Sequence, residues 1–381
     1  MSGENNYKAI SIDTNSLKEK GFALKGPILS KFQRFKESEV VFIQPDIIHR
    51  ECLKHFSSHI SETTMEAKKS LNKLNGHGIL NADLHEKIKC IIEEDNDFNL
   101  AAHNRLKEFY DLSGAQIINV SDYLDLDQLF DMYFESKSPF EDAGKKKCEF
   151  PDACALLSLE SWAEEQDINV VLISNDAGWE RFAASSERMT VFKDVAKALD
   201  FLLPTDDKES IYEFILGREV FSSPEFLNNV NEEVESFVEG LDVYASADGP
   251  MNIYPEYGFI HYHDYDFKGE LKNRDMFNII GVDQMKVDIS IPITINCWVE
   301  ADFELFVRDT IDHEDISMGS IHREVEKFFD AEIFVSMWLH VSEGLRELSD
   351  LEITDIEAHD YDPNVGFGYI DLYHDDYNPY E

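Results

Sequence analysis

Three short β-branched runs, each stopped by turn chemistry and separated from the next by helical periodicity, constrain this chain more than any other feature. Ala9-Ile-Ser-Ile12 ends in Asp13, Val40-Val-Phe-Ile43 ends in Gln44-Pro45, and Asn169-Val-Val-Leu-Ile173 ends in Ser174-Asn175-Asp176. Continuous apolar runs of this length are those of strands covered on both faces, as in parallel sheets. Between them, Ile48, Cys52, Phe56 and Ile60 recur four residues apart, while Leu156, Leu159, Trp162 and Ala163 share one helical stripe. Strand and helix alternating at this spacing predict an α/β domain built on a parallel sheet. Residues 61–112, rich in Lys, Glu and Asn, predict a helical insertion, and Gln116-Ile-Ile-Asn-Val120 a further strand.

The second half follows a different period. Val287, Ile289, Ile291, Ile293, Ile295, Cys297 and Val299 alternate with polar residues or proline, which predicts a long, half-buried antiparallel strand or hairpin. Pro292 is expected at an edge or a bulge, because it cannot donate to a ladder. Ile333, Val335, Met337, Leu339 and Val341 repeat the alternation, and residues 208–240 read as helical. An α+β domain follows, with a Tyr-, Asp- and Gly-rich tail after Glu357 expected to be mobile. Phe201-Leu-Leu-Pro204 and the charged run after it mark the boundary, giving domains 1–204 and 205–381. Charge divides there too: residues 205–381 carry 42 acidic and 10 basic side chains, leaving 35 and 24 in residues 1–204.

The formal net charge of -43 excludes a generic basic coat for nucleic acid, since phosphate affinity comes from clustered Lys and Arg. An aromatic content of 12% argues equally against a disordered acidic chain. Five cysteines without a CxxC pair read as reduced intracellular thiols. The opening MSGENNYKAI has no secretory pattern, and no apolar window suits a membrane span, so a soluble, cytoplasmic protein with no membrane partner is expected. Nucleotide-binding glycine loops and the GxSxG elbow are missing. His261-Tyr-His263-Asp264-Tyr-Asp266 reads as an exposed polar strand rather than a metal site, because zinc would need further ligands that the sequence does not nominate; His374-Asp-Asp reads the same way.

Four carboxylates stand where a parallel sheet presents chemistry, at or beyond the carboxyl ends of its strands. Asp13 closes the first run, Asp176 closes the last, Glu51 lies in the helix after Pro45, and Asp152 opens the helix at Glu149-Phe-Pro-Asp152-Ala-Cys-Ala. Converging carboxylates repel unless a cation compensates them, and an oxygen-only donor set selects Mg²⁺ or Mn²⁺. Taken singly, Asp13, Asp152 and Asp176 read as turn or capping residues.

Ile10-Ser-Ile-Asp13-Thr-Asn15, Phe42-Ile-Gln-Pro45 with Glu51, Phe150-Pro-Asp152-Ala-Cys-Ala and Leu172-Ile-Ser-Asn-Asp176 together resemble the PIN domain of metal-dependent nucleases, over about residues 7–203. The run Ser138-Pro-Phe, Lys145-Lys-Lys, Glu149-Phe-Pro-Asp152 is similar to that of larger bacterial members. The resemblance implies a Rossmann-like three-layer fold that hydrolyses phosphodiesters, most often in RNA, with Mg²⁺ or Mn²⁺. By motif position, Asp13, Glu51, Asp152 and Asp176 would be both the catalytic and the metal-binding quartet. Asn15 would steady the first carboxylate, and Glu149 is an additional candidate equally readable as a solvated helix-start residue. Ser174 and Asn175 are candidates for phosphate or a metal-bound water, though plain turn residues by default. Lys145, Lys146 and Lys147, the compact basic run beside Asp152, read equally as a phosphate-holding strip and as a solvated loop.

The expected activity is therefore a metal-dependent endoribonuclease, with RNA preferred over DNA as substrate and toxin-like or phage-defence roles implied by the resemblance. Residues 205–381 are expected to bind a protein partner or to hold the nuclease off by imitating nucleic acid, against the plain reading of a soluble acidic domain. The rival expectations are a non-catalytic PIN-like interaction protein and a nuclease acting on DNA or flaps, with residues 61–112 as an arch.

Overall fold

The computed structural model describes residues 6–93, 97–140, 149–270, 272–283, 285–309, 314–342, 345–359 and 361–370. Lys145, Lys146, Lys147, the His374-Asp-Asp motif and the end of the tail lie outside the described residues. The chain divides into two compact units, Met1–Leu202 and Leu203–Glu381.

The first unit alternates strands and helices: β1 (Tyr7–Ile12), α1 (Thr14–Glu19), a 3-10 segment at Leu29–Glu37, β2 (Val41–Pro45), α2 (Asp46–Gly76), α3 (Ala82–Glu93), α4 (Phe98–Ser113), β3 (Gln116–Ile118), α5 (Val120–Tyr123), α6 (Leu126–Phe134), α7 (Phe150–Gln166), β4 (Asn169–Ile173), α8 (Ala177–Ser185), β5 (Met189–Phe192) and α9 (Val195–Phe201). The five strands are all parallel, in the order β3-β2-β1-β4-β5. From β1 the chain builds outward through β2 and β3, then returns to place β4 on the other side of β1. That reversal puts the topological switch point between β1 and β4, where open α/β sheets bind ligands at the strands' carboxyl ends. Ala9, Ile10 and Ile12 of β1 and Val170–Ile173 of β4 are buried, which accounts for their unbroken apolar runs.

The insertion grows out of α2 without a break. Ile48, Cys52 and Phe56 are buried at four-residue spacing, after which the 31-residue helix runs on to meet α3 and α4. α4 stops at Gly114, whose φ of 66° is left-handed, and a Cβ there would lie 2.8 Å from the Cα of Lys36. Only glycine meets both demands. Gly114→Ala is expected to lower stability by about 2 kcal/mol, read as a lower urea midpoint; an unchanged midpoint would show that this junction relaxes freely.

The second unit contains α10 (Thr205–Gly217), α11 (Pro224–Glu239), β6 (Tyr244–Asp248), β7 (Asn252–Phe267), β8 (Asn278–Val282), β9 (Lys286–Arg308), β10 (Asp315–Ser342), β11 (Leu345–Ala358) and β12 (Asn364–Tyr369). Its large sheet is antiparallel, ordered β11-β10-β9-β7, with β8 also pairing β9, while β6 and β12 form a parallel pair. The odd-numbered side chains of β9 from Val287 to Val299 are buried, and Phe226, Val230, Val234 and Val238 of α11, four residues apart, belong to the same core. Pro292 departs from expectation: it occupies a central strand and no bulge. It sits where β8 stops pairing, at Ser290, and β7 starts, at Ile293. Its carbonyl accepts from the Lys268 amide at 3.1 Å, so its missing N–H faces the same side, at a gap in the ladder where no N–H is needed. No helix is long and apolar enough to cross a membrane among the described residues.

Candidate metal centre

Asp13 follows β1 directly and is 2% exposed, at the start of α1. Its carboxylate accepts from the Ser174 hydroxyl at 3.0 Å, and the nearby Asn15 main-chain amide favours its charged form. Burial, the Asp152 charge and the Glu51 charge nevertheless raise its pKa to about 7. Asp152, half-buried in the first turn of α7, is raised to about 6, chiefly by burial and then by Glu51, Asp176 and Glu149. After burial, charges of other members of the predicted quartet contribute to both shifts, so the fold brings Asp13, Glu51, Asp152 and Asp176 into one electrostatic cluster, with Glu149 at its margin.

Each carboxylate is held by a specific donor. Asp152 does not cap its helix: its Oδ1 accepts from the Trp179 indole N–H at 2.9 Å. Asp176 caps α8 through Oδ1, which accepts from the Gly178 amide at 2.5 Å and the Trp179 amide at 3.2 Å. Glu51 accepts from the Thr14 hydroxyl at 3.2 Å, and Thr14 in turn lies 3.5 Å from the buried Cys52 thiol, which burial pushes up to about 12 and so keeps protonated as a donor. Among the described residues, no further donor reaches Asp152 or Asp176, leaving Oδ2 of each unengaged. No Lys or Arg among the described residues pairs with any of the four, and Glu51 has only His55 at 3.8 Å.

Residues flanking the quartet divide by role. The buried Ser174 hydroxyl donates to Asp13 and accepts from the Asp176 amide at 3.0 Å, so it ties the ends of β1 and β4 together. The Asn15 side chain is exposed, and its main-chain amide lowers the Asp13 pKa. The Asn175 side chain is exposed too and donates to Glu19. Asn15, Lys18, Glu19, Asn175 and Asp176 line a recess of about 410 Å³. Thr14, Lys18, Gly178 and Trp179 were missed by sequence reasoning. Thr14 and Lys18 were signalled only by adjacency to Asp13, and Gly178 and Trp179 by following the Asp176 cap. A Cβ at Gly178 would lie 2.7 Å from Asp176 Oδ1, so the glycine makes room for that carboxylate.

Residues 10–179 match a PIN domain. PIN domains are in general metal-dependent nucleases acting on nucleic acid, so the match points to nuclease chemistry for this unit. All four quartet residues lie within the matched span. No curated protein and no solved structure matches the chain.

The raised Asp13 pKa carries a stability consequence. With a folded value near 7 against an ordinary one near 3.8, ionising Asp13 costs stability, which is lost as pH rises between those values. In excess chelator, Asp13→Asn is expected to unfold at higher urea than wild type at alkaline pH, by on the order of 2 kcal/mol, with the gain vanishing near the unfolded-state pKa. Equal stability of the two proteins at alkaline pH would mean that Asp13 is already compensated.

Proposed function

We propose that the first unit is a Mg²⁺- or Mn²⁺-dependent phosphodiesterase, an endoribonuclease, with Asp13, Glu51, Asp152 and Asp176 as its metal ligands. The observation that carries this reading is the buried Asp13 within a mutually repelling quartet that no Lys or Arg offsets among the described residues. An all-oxygen donor set with unengaged Oδ2 atoms fits a hard divalent ion. Bound there, such an ion supplies Lewis-acid polarisation of a phosphoryl oxygen and a water of lowered pKa.

The chain's own residues prepare that chemistry. Ser174 holds Asp13 and the Asp176 backbone at one separation, and the Trp179 indole sets the orientation of Asp152. Thr14 orients Glu51. The recess beside Asp176 offers Lys18 to a phosphate of the strand, with Asn15 and Asn175 on its rim. Lys145, Lys146 and Lys147 are proposed as a second phosphate strip. Because the whole chain carries -43, a polyanion approaches against the field, so local contacts of this kind decide whether it binds. The acidic second unit is proposed to regulate access or to bind a partner protein, in a cytoplasmic setting.

Wild-type protein incubated with single-stranded RNA and Mn²⁺ is expected to cleave it. Asp152→Asn should lower the rate by at least about 100-fold and Trp179→Phe by a smaller factor, through loss of one orienting bond. Cleavage that persists in Asp13→Asn and Asp152→Asn with excess chelator would overturn the assignment, and the same assay on DNA decides between the substrates. Lys18→Ala is expected to raise KM several-fold with little change in kcat and to reduce the salt slope of RNA binding by about one. An unchanged slope would remove Lys18 from the phosphate path.

A further inference from the structure

The second unit gathers a different set of donors on the exposed face of its large sheet. In the β9–β10 register, Asp302 stands opposite His322 and Glu300 opposite Glu324. From β7, on the other side of β9, His261 places Nε2 3.0 Å from Glu300 Oε1. His322 Nδ1 lies 3.0 Å from Asp302 Oδ1, while its Nε2 lies 3.7 Å from Glu300 Oε2 and 3.5 Å from Glu324 Oε1. The three carboxylates alone would be an acidic patch on a solvated face. The two imidazoles change its chemistry.

An Nδ1 facing a carboxylate at hydrogen-bond distance donates its proton, which leaves Nε2 of the neutral ring as a lone pair. That lone pair points at two carboxylate oxygens, so three acceptors surround one gap. Acceptors facing one gap repel, and a cation there, either a second proton on the imidazole or a metal ion, relieves that repulsion. Ligand atoms about 2.0–2.1 Å from a tetrahedral zinc stand roughly 3.3–3.4 Å from one another. The spacings of 3.5 and 3.7 Å are close to that, and the three ligand atoms all lie within 4.8 Å of one another.

We propose that Glu300, His322 and Glu324 bind a divalent ion of the zinc class. Asp302 fixes the tautomer of His322 from behind, as carboxylates do behind metal-bound histidines, and His261 orients Glu300 through its other oxygen. A mixed imidazole and carboxylate set prefers Zn²⁺ to Mg²⁺, which separates this site from the all-oxygen quartet of the first unit. Neighbouring antiparallel strands hold the ligands in register, so binding needs only side-chain adjustment. The strongly acidic surroundings add a favourable field for a cation.

The test uses full-length protein carrying Asp13→Asn and Asp152→Asn, which removes two of the four carboxylates of the first unit's cluster. Zn²⁺ is titrated against a chromogenic chelator at alkaline pH, because hydrogen bonds to Asp302 and Glu324 hold the His322 pKa above that of an ordinary imidazole. One equivalent of Zn²⁺ is expected, weakened at least about tenfold by His322→Ala and by Glu324→Gln, and about tenfold by Asp302→Asn. His340→Ala, which removes an exposed histidine of the same strand outside the cluster, should leave affinity unchanged. Co²⁺ should give a visible absorption band that His322→Ala abolishes, and Glu324→Gln gives an independent reading if the alanine variant does not fold. Absence of a stoichiometric site would overturn the proposal, as would Zn²⁺ binding undiminished by either His322→Ala or Glu324→Gln.

Discussion

The burial of Asp13 among other carboxylates is the constraint around which the first unit is arranged. A 2% exposed carboxylate with no paired cation among the described residues is costly, and the fold offsets part of that cost with the Ser174 hydroxyl. Ser174 reaches across from the end of β4 and donates its hydroxyl to that carboxylate. That bond depends on β1 and β4 being neighbours, which the reversal of strand order at β1 brings about. Trp179 extends the same logic, since α8 begins with a cap by Asp176 and so places an indole where it fixes Asp152. The site is thus a property of the switch point, and the helices of the insertion are carried on α2 beyond it.

The second unit solves a different problem. β9 pairs β10 on one side and β7 with β8 on the other, and its alternating side chains bury one row against α11. The opposite row includes Glu300 and Asp302, where cross-strand neighbours bring two imidazoles. Charge that looks diffuse in composition is therefore organised by a period of two into rows, and rows on adjacent strands meet.

Much of this was legible along the chain. The unbroken runs of β1 and β4 announced covered strands, and Asp13 and Asp176 at their ends marked the ligand edge. The alternation from Val287 to Val299 announced β9, and Ile48, Cys52 and Phe56 announced the buried face of α2. Asp152 was legible as a carboxylate in the first turn of α7 but not in its role, since its partner lies on another helix. Pro292 misled because a missing N–H signals a gap in a ladder, and such a gap can occur within a sheet where one neighbouring strand gives way to another. The histidine-containing run at His261 looked like an isolated polar strand, because Glu300 and His322 belong to other strands.

The sequence by itself determined the elements, since apolar period and turn chemistry are local properties of a chain. It also determined which carboxylates stand at strand ends and that most of the negative charge lies after residue 204. Only the tertiary structure decided which side chains share a dielectric environment. Asp13 and Asp152 acquire their raised pKa values, and Glu300 and His322 their common gap, from residues distant in the chain. Electrostatic coupling and ligation depend on separations of a few ångströms in space, and strand order and register are what set those separations.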